Sequence, residues 1–435
     1  MKQGSNMKGR EVYIVDGKRT PFLKARGIGP FTGADLAVEV GKRFLLRWPF
    51  LLQALDEVIM GSVMPDEANI ARVISLRLGF NESIPAYTVM RNCASGMQAI
   101  DAGAIQIASG RSDLILAGGT EAMSHAPLLF RTEMALWLSR WYAARSIGQK
   151  AQLLVQLKPS YFIPVLALLR GLTDPLIGLN MGQTAEKVAH HFNITRDEMD
   201  QFALESHQRL NRAVAEGRLS EIMPIIDKKG RYYANDDGLR ADTTLEKLGQ
   251  LKPYFDKKYG KVTAGNSSQV SDGACLLLLA SAEAVKKYDL PILGRIVDVE
   301  WAALDPSQMG LGPVHAATPI MLRNNLKPND FDCWEINEAF AAQVLGCLKA
   351  FEDKAYSKQH FGLDTPLGAP DISRVNQDGG AIAMGHPVGA SGARIVLHTL
   401  EILKQKNGKR GMATICIGGG QGGAMYLERV TEVRT

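Results

Sequence analysis

The sequence is poor in cysteine, and the few cysteines it has are not arranged for a metal site or a disulfide framework. Five of its 435 residues are cysteine, and none forms a Cys-x-x-Cys pair or lies at metal-ligand spacing from a histidine. An odd and scattered set of thiols is typical of a reducing compartment. We therefore expect a cytoplasmic protein, and we predict no metal site.

Long apolar segments and clustered charges are also missing. No run of about 18 or more apolar residues occurs, so the sequence predicts no membrane-spanning helix. Residues 1–15 hold no apolar run before the first predicted strand, which argues against a secretory signal. The net charge of +5 is spread along the chain, because acidic and basic residues alternate through most of it. This distribution argues against nucleic acid as a partner.

Short apolar strands alternate with helical patterns, which indicates α/β layers. "PAYTVMRNC" predicts a strand, "ASGMQAIDAGAIQIASG" a helix and "DLILAGGTEAM" a buried strand. The late segment "ATICIGGGQGGAM" has the same layout as the early "LILAGGTEAM". We interpret this as a weak internal repeat, that is, two similar α/β halves.

The middle of the chain, residues 126–258, has a different composition. Its part 129–177 interleaves aromatic and Leu residues with basic ones. The basic residues are Arg131, Arg140, Arg145, Lys150, Lys158 and Arg170, against the acidic Glu133 and Asp174. Two interpretations stay open: helices that lie on a membrane or a partner, or an inserted helical hairpin that covers its own domain.

Cys93 lies where a polar turn becomes a helix in "RNCASGMQAI". A free cysteine is usually a buried structural residue. At a helix N-terminus, however, the dipole is expected to lower the thiol pKa and raise the thiolate fraction. The small residues that follow would leave the sulfur accessible.

Three further segments carry polar groups next to glycine or at a strand end. His386 stands in "QDGGAIAMGHPVGASGARI", as a candidate general base or as part of a tight structural turn. Cys416 precedes the glycine run of "CIGGGQGG", whose amides suit an oxyanion site; a phosphate loop would need the missing Gly-Lys-Ser/Thr ending. Asn337 in "NEAFAA" either caps a helix or holds a water or substrate oxygen.

Taken together, these segments resemble the thiolase family over nearly the whole chain. The resemblance is carried, in order, by "VDGKRTPF", "NCASGMQAI", "GGTEAMS", "MGQTAE", "VTAGNSSQVSDGA", "NEAFAAQ", "GHPVGASGAR" and "CIGGGQGGA". It implies a five-layer α-β-α-β-α fold built from two similar halves with an inserted loop domain. We place the first half at 9–125 plus 259–289, the loop domain at 126–258 and the second half at 290–435.

The resemblance also implies roles for the candidate residues. Cys93 matches the nucleophile that takes up the acyl group, His386 the base that activates it, and Cys416 the second cysteine, which acts as acid and base. Asn337 matches the residue that holds a water at the enolate oxygen. The backbone N–H groups of Cys93 and Gly418 match the donors to the acyl-cysteine oxygen.

CoA and acyl-CoA are then substrates, and the resemblance implies no cofactor. In matching positions, Arg240 and Phe255 would contact the adenosine end of CoA, and Ser268 the pantetheine. The wall of the reactive tunnel would be formed by Met181, Met309, Ala339 and Phe340.

The implied activity is degradative cleavage of 3-ketoacyl-CoA of medium or long chain, as in fatty acid β-oxidation, and the implied assembly is at least a homodimer. The alternatives are an acetoacetyl-CoA thiolase that runs toward condensation, and a non-catalytic scaffolding relative. Short biosynthetic thiolases have a His where this chain has Asn180, which favours the degradative activity.

The 129–177 insert resembles the thiolase subunit of the trifunctional fatty-acid oxidation complex, which suggests a hydratase–dehydrogenase partner or a membrane surface. That branch often has His at the position of Asn337, so the match is incomplete.

Overall fold

The computed structural model describes residues 7–65 and 67–433. Its strands are β1 (Val12–Arg19), β2 (Leu23–Lys24), β3 (Glu57–Gly61), β4 (Ala86–Val89), β5 (Leu114–Ala122), β6 (Leu128–Leu129), β7 (Val165–Leu166), β8 (Ile225–Ile226), β9 (Tyr232–Tyr233), β10 (Ser271–Ala280), β11 (Gly294–Ala303), β12 (Cys333–Ile336), β13 (Arg410–Ile417) and β14 (Gln421–Glu428). Its α-helices are α1 (Gly33–Arg47), α2 (Leu51–Ala54), α3 (Ile70–Arg77), α4 (Ser95–Ala108), α5 (Thr132–Ala143), α6 (Ile147–Val155), α7 (Ala167–Gly171), α8 (Met181–His191), α9 (Arg196–Ala215), α10 (Leu245–Gly249), α11 (Ala282–Tyr288), α12 (Gly312–Arg323), α13 (Ala341–Glu352), α14 (Lys354–Phe361), α15 (Ala381–Met384) and α16 (Val388–Gln405).

The strands fall into two groups with the same pairing pattern. In the first half the order is β1-β10-β5-β3-β4, and in the second half it is β11-β14-β13-β12. In each group two antiparallel pairs are followed by a parallel pair, which is β5 with β3 in the first group and β13 with β12 in the second. The first group continues with a further parallel pair, β3 with β4. The internal repeat predicted from the sequence is therefore confirmed. Antiparallel pairing of β1 with β11 joins the groups into one continuous ten-stranded sheet, which the sequence did not predict.

Helices lie outside and between the two groups of strands, which gives the predicted five layers. Helices α1 and α3 pack on the outer side of the first group, and α12 packs on the outer side of the second. Between the groups, α4 and α16 pack against each other. Separate apolar clusters fill the two outer interfaces and the central one. The α/β thiolase-like fold expected from the sequence is confirmed, while the exact domain boundaries stay a prediction.

The small residues around Cys93 and after His386 allow the central helices to approach closely. A Cβ added at Gly96 of α4 would lie 2.8 Å from the Gly389 carbonyl oxygen of α16. One added at Gly61 of β3 would lie 2.3 Å from the backbone of Ser95. Only glycine permits such contacts. The runs "CASG" and "VGASG" thus bring the starts of α4 and α16 together, and with them the turns that precede each helix.

The insert forms a small unit on the outside of this core. Strands β6 and β7 pair at its base, and α5 and α6 form a helical hairpin. Trp137 stacks on Trp141 with ring centroids 5.3 Å apart, and its indole N–H donates to the Leu153 carbonyl at 2.8 Å. Several apolar side chains of the hairpin are exposed, among them Leu136, Ile147 and Val155. Among the residues described, no helix is both long and apolar enough to span a bilayer.

Candidate active site

Three sequence-predicted residues from distant parts of the chain line one cavity. Cys93, His386 and Cys416 share a cavity of about 390 Å³, which we call the main cavity. They come from the turn before α4, from the turn before α16 and from the end of β13. The grouping of these three residues, expected from the sequence, is what the fold produces.

Cys93 is held in a turn with a left-handed residue before it. Asn92 has a φ of 44°, and its side-chain N–H donates to the Gly418 carbonyl at 2.8 Å. The hydroxyl of Ser95 donates to the Asn92 carbonyl at 2.7 Å and accepts from the Arg91 N–H at 2.9 Å. The turn of Cys93 is thereby tied to the glycine turn that follows Cys416.

The expected lowering of the Cys93 pKa is wrong. Burial raises the pKa of this thiol, and hydrogen bonds from the backbone N–H groups of Gly418 and of Cys93 itself offset the effect only in part. Helix α4 begins at Ser95, with Ala94 as its N-cap, so the thiol lies before the first turn of the helix. At neutral pH the sulfur is therefore protonated, and a base would have to remove its proton before it could act as a nucleophile.

His386 is suited to be that base. Burial and the nearby Arg394 lower its pKa to about 4, so the ring is neutral at pH 7. Its Nδ1 lies 2.6 Å from the Ser391 hydroxyl, which donates its own proton to the Pro387 carbonyl at 3.0 Å. The hydroxyl therefore accepts from Nδ1–H, and Nε2 is left as the unprotonated nitrogen. Among the described residues, Nε2 has no hydrogen-bond partner.

Cys416 and the glycine turn complete the end of the cavity. Burial raises the pKa of the Cys416 thiol well above its usual value, so this sulfur carries a proton at neutral pH. Gly419 and Gly420, in the turn that follows, have φ of 92° and 76°. A Cβ at Gly420 would lie 2.3 Å from the Leu304 carbonyl oxygen. This tight turn places the Gly418 N–H at Cys93, and a phosphate loop is not needed to explain the glycines.

Asn337 lies beside the site and is oriented by a buried ion pair. Its side chain is fully buried, and Arg394 donates to its Oδ1 at 3.4 Å. The other guanidinium nitrogen of Arg394 donates to Glu335 at 2.6 Å. Because Oδ1 faces a cation, the Asn337 amide presents Nδ2 as a donor, and within the described chain this nitrogen has no partner. Asn337 itself is not among the residues that line the main cavity.

Most residues predicted to contact CoA lie on the main cavity. These are Met181, Phe255, Ser268, Met309, Ala339 and Phe340. The Ser268 N–H donates to the Ala339 carbonyl at 2.9 Å, and Phe255 packs edge-on against Phe340 at 5.8 Å, so one local pairing assembles several of them. Arg240 is exposed and lies outside this cavity; its backbone N–H donates to His207 at 3.3 Å. Its contact with CoA stays a prediction.

A second, smaller cavity also reaches Cys93. This side cavity has a volume of about 110 Å³ and is lined by Met64, Leu172, Asp174, Pro175 and Gly418, among others. Behind Met64, the buried Glu121 carboxylate accepts from the backbone N–H groups of Val63 and Met64 at 2.9 and 3.0 Å. Burial outweighs these bonds and raises the pKa of Glu121 to about 7.

Sequence reasoning missed Ser391, Arg394 and Glu121. The available signal for Ser391 and Arg394 was their position on the helix that follows His386, five and eight residues on. Glu121 was visible only as an acidic residue inside the buried strand β5. Within the described part of the chain, no group of three or more His, Cys, Asp or Glu side chains is arranged to hold a metal ion.

Comparison with known proteins agrees with this geometry. The family model "Thiolase, N-terminal domain" matches residues 12–283, and "Thiolase, C-terminal domain" matches 290–429. The β-ketoadipyl-CoA thiolase of Pseudomonas knackmussii is 39% identical over 97% of this chain and 100% of its own length. The mitochondrial trifunctional enzyme subunit beta of Homo sapiens is 34% identical over 96% of this chain and 88% of its own length.

A solved structure is equally similar. The crystal structure of human mitochondrial 3-ketoacyl-CoA thiolase in complex with CoA superposes with a TM-score of 0.83 at 36% identity, and covers 99% of this chain and 100% of that one. Both halves of the chain, its fold and its relatives therefore lead to the same assignment. This chain belongs to the thiolase family and is an acyltransferase.

Proposed function

We propose that this chain cleaves 3-ketoacyl-CoA with free CoA, giving acetyl-CoA and an acyl-CoA shortened by two carbons, as in fatty acid β-oxidation. The observation that carries the proposal is the shared cavity of Cys93, His386 and Cys416. It combines a nucleophile, a neutral base and a protonated thiol, which are the three groups that this reaction needs.

In the first half-reaction, His386 Nε2 takes the proton of the Cys93 thiol, and the thiolate attacks the 3-keto carbon. The tetrahedral adduct collapses by breaking the bond between C2 and C3, which leaves the acyl group on Cys93. The departing enolate of acetyl-CoA takes its proton from Cys416. The raised pKa of Cys416 supports this step, because the thiol is protonated and ready to donate.

In the second half-reaction, the Cys416 thiolate takes the proton of an incoming CoA thiol. The CoA sulfur attacks the acyl-Cys93 thioester, and the acyl group leaves as acyl-CoA. His386 returns its proton to the Cys93 sulfur, so both cysteines end as they began. The sequence of events predicts ping-pong kinetics.

Two oxygens carry negative charge along this path. The backbone N–H groups of Cys93 and Gly418 already face the Cys93 sulfur, so they are our candidates for the oxygen of the cysteine adduct. For the enolate oxygen we propose His386 and a water held by Asn337 Nδ2. Loss of one such donor typically lowers the rate by about 10²–10³.

The experiment that tests the function is steady-state thiolysis across a chain-length series, from acetoacetyl-CoA to 3-ketohexadecanoyl-CoA. We expect higher kcat/KM for the medium or long chains. Cleavage of the four-carbon substrate alone would favour the alternative, an acetoacetyl-CoA thiolase in the condensing direction.

Alkylation of Cys93 by iodoacetamide, slowed by acyl-CoA, separates an enzyme from a scaffolding relative. An inert Cys93 without thiolysis would support the scaffold.

We further propose that the insert docks on an anionic lipid surface. Its six basic residues, Arg131, Arg140, Arg145, Lys150, Lys158 and Arg170, are exposed, and within the described chain none forms an ion pair. Apolar side chains stand among them, such as Phe130, Tyr142, Ile147 and Val155, which are 62, 83, 89 and 89% exposed. Exposed apolar groups mixed with such cations, which form no ion pair within the described chain, suit the bilayer interface.

Vesicle co-sedimentation tests the docking. The double variant Arg140→Glu/Lys150→Glu should lose binding to vesicles that contain anionic lipid. The matched control Lys286→Glu/Lys404→Glu, with the same charge change at two exposed sites outside the insert, should keep it. Equal behaviour of both variants would contradict the lipid proposal, and capture by a hydratase–dehydrogenase without lipid would favour the partner.

The assembly is proposed to be a homodimer or larger. Strand β4 ends the order of strands, so one of its edges is open, and Met90 beside it is 68% exposed. Sedimentation equilibrium tests this, and a monomer at micromolar concentration would contradict it.

For the compartment, the cytoplasm stays our prediction from the sequence, while the human subunit beta named above is mitochondrial.

A further inference from the structure

Cys93 lies where two cavities meet. It lines the main cavity and the side cavity, together with Met123, Leu172, Met181 and Val388. A thioester substrate attached at this sulfur has two arms, the pantetheine and the acyl chain. Each arm needs its own space, and the two cavities offer it.

The lining decides which arm enters which cavity. The main cavity carries hydrogen-bonding side chains at Asn180, Tyr254, Ser268 and Gln269, among others, which suit the amides of pantetheine. The side cavity is lined mostly by apolar side chains. Among the described residues that line it, none is Lys, Arg or His. Its one carboxyl group belongs to Asp174.

Asp174 is held firmly in that wall. It is 4% exposed, and its Oδ1 accepts from the N–H groups of Leu176 and Ile177 at 2.8 and 3.1 Å. Its backbone N–H donates to the Leu179 carbonyl at 2.9 Å, and its own carbonyl accepts from Gly178 at 2.9 Å. These bonds hold Asp174 and its carboxyl group in place in the wall of the side cavity.

We propose that the side cavity, with its volume of about 110 Å³, takes the first carbons of the acyl chain beyond C3, and that Asp174 excludes short acyl chains whose terminal carboxylate would lie there. A terminal carboxylate would lose its water there, meet no counter-charge and face a like charge. The inference rests on the proposed thiolysis and narrows its short-chain substrates to those with an apolar end. It separates this chain from its relative named β-ketoadipyl-CoA thiolase, whose acyl group is that of a dicarboxylic acid, despite their 39% identity.

The first experiment compares 3-ketohexanoyl-CoA with 3-ketoadipyl-CoA, which have the same chain length and differ in the terminal methyl or carboxylate. Acetoacetyl-CoA, without a chain beyond C4, is the reference. For the wild-type enzyme we expect kcat/KM to be at least about 100-fold higher for 3-ketohexanoyl-CoA. A ratio near one, or a preference for 3-ketoadipyl-CoA, would overturn the inference.

The second experiment changes the charge of the wall. Asp174→Asn keeps the Oδ1 acceptor. It should lower the ratio of kcat/KM for 3-ketohexanoyl-CoA to kcat/KM for 3-ketoadipyl-CoA about 10-fold. Pro175→Lys adds a cation to the side cavity and should raise kcat/KM for 3-ketoadipyl-CoA about 10-fold. Leu176→Lys, at an 83% exposed position outside both cavities, is the matched control and should leave kcat/KM for 3-ketoadipyl-CoA unchanged.

The outcomes distinguish this inference from the proposed function. If acetoacetyl-CoA and 3-ketohexanoyl-CoA are cleaved but Pro175→Lys and Leu176→Lys behave alike and Asp174→Asn changes nothing, the side cavity is not the acyl site. If the enzyme cleaves none of the three substrates, the proposed function fails, and the inference fails with it.

Discussion

The hydrogen bond between His386 and Ser391 offers the sharpest test of how the base works. Ser391→Ala removes the acceptor 2.6 Å from Nδ1 and leaves that N–H buried without a partner. It also frees the ring to move its proton to Nε2, and in that tautomer the nitrogen that faces the cavity cannot accept the Cys93 proton.

The size of the effect follows from the cost of an unsatisfied buried donor. That cost is about 1–3 kcal/mol, and it corresponds to about a 5- to 160-fold loss of kcat/KM. The loss should appear equally in kcat/KM for every chain length, because the base acts before the acyl chain matters. The rate of Cys93 alkylation by iodoacetamide should fall in parallel.

A matched variant on the same helix separates catalysis from stability. Thr399 is also fully buried in α16, and its hydroxyl donates to the Ile395 carbonyl at 2.7 Å, away from the cavities. Thr399→Val should reduce thermal stability by an amount similar to Ser391→Ala but keep the activity. If Ser391→Ala stays within about twofold of Thr399→Val in kcat/KM, the assigned tautomer is refuted.

Three further predictions concern charge and packing around the site. The double variant Glu335→Gln/Arg394→Gln removes the cation that helps to lower the pKa of His386. The acidic limb of the plot of kcat/KM against pH should therefore move to higher pH by as much as about one unit. If this limb does not move, the result argues against His386 as the base. Burial alone would lower the pKa of His398, but Glu221 at 2.9 Å raises it to about 9, above the ordinary value of 6.5. The stabilisation by His398 is therefore fully present below about pH 6.5 and lost as the pH rises through 9, so the difference in unfolding free energy between wild type and His398→Gln should shrink across this range by at most about 3 kcal/mol, as urea titrations can show. If this difference in unfolding free energy stayed constant with pH, it would contradict a charged His398 in the folded protein. At Gly119 an added Cβ would lie 1.9 Å from the Gly389 carbonyl oxygen, so Gly119→Ala should unfold several degrees earlier in a thermal scan, whereas Gly148→Ala, which meets open space, should not.

The sequence predicts the centre of the site well, because each catalytic candidate is marked by small neighbours that serve a packing purpose. Gly96 and Gly389 are needed where α4 and α16 touch, and that contact is what brings Cys93 toward His386. The polar partners are harder to predict. Ser391 is an ordinary helix residue until the fold places it on Nδ1.

The sequence could not supply how deeply a side chain is buried or in which direction it points. The helix dipole at Cys93 was visible in the sequence, whereas the desolvation that outweighs it depends on the walls of both cavities. Pairing of β1 with β11 likewise depends on how the two halves meet, which no local pattern encodes. For Arg240 the resemblance implies a contact with CoA, but the sequence does not show the direction in which its side chain points.

The central claim, that Cys93 carries the acyl group, is tested most directly by trapping the intermediate. The enzyme is incubated with acetyl-CoA in the absence of free CoA, digested, and its cysteine peptides are weighed by mass spectrometry. We predict one acetyl group, on the peptide that contains Cys93, absent from the Cys93→Ser variant and removed by adding CoA. Acetylation of a different cysteine in an active enzyme, or turnover without any acylated cysteine, would contradict the account.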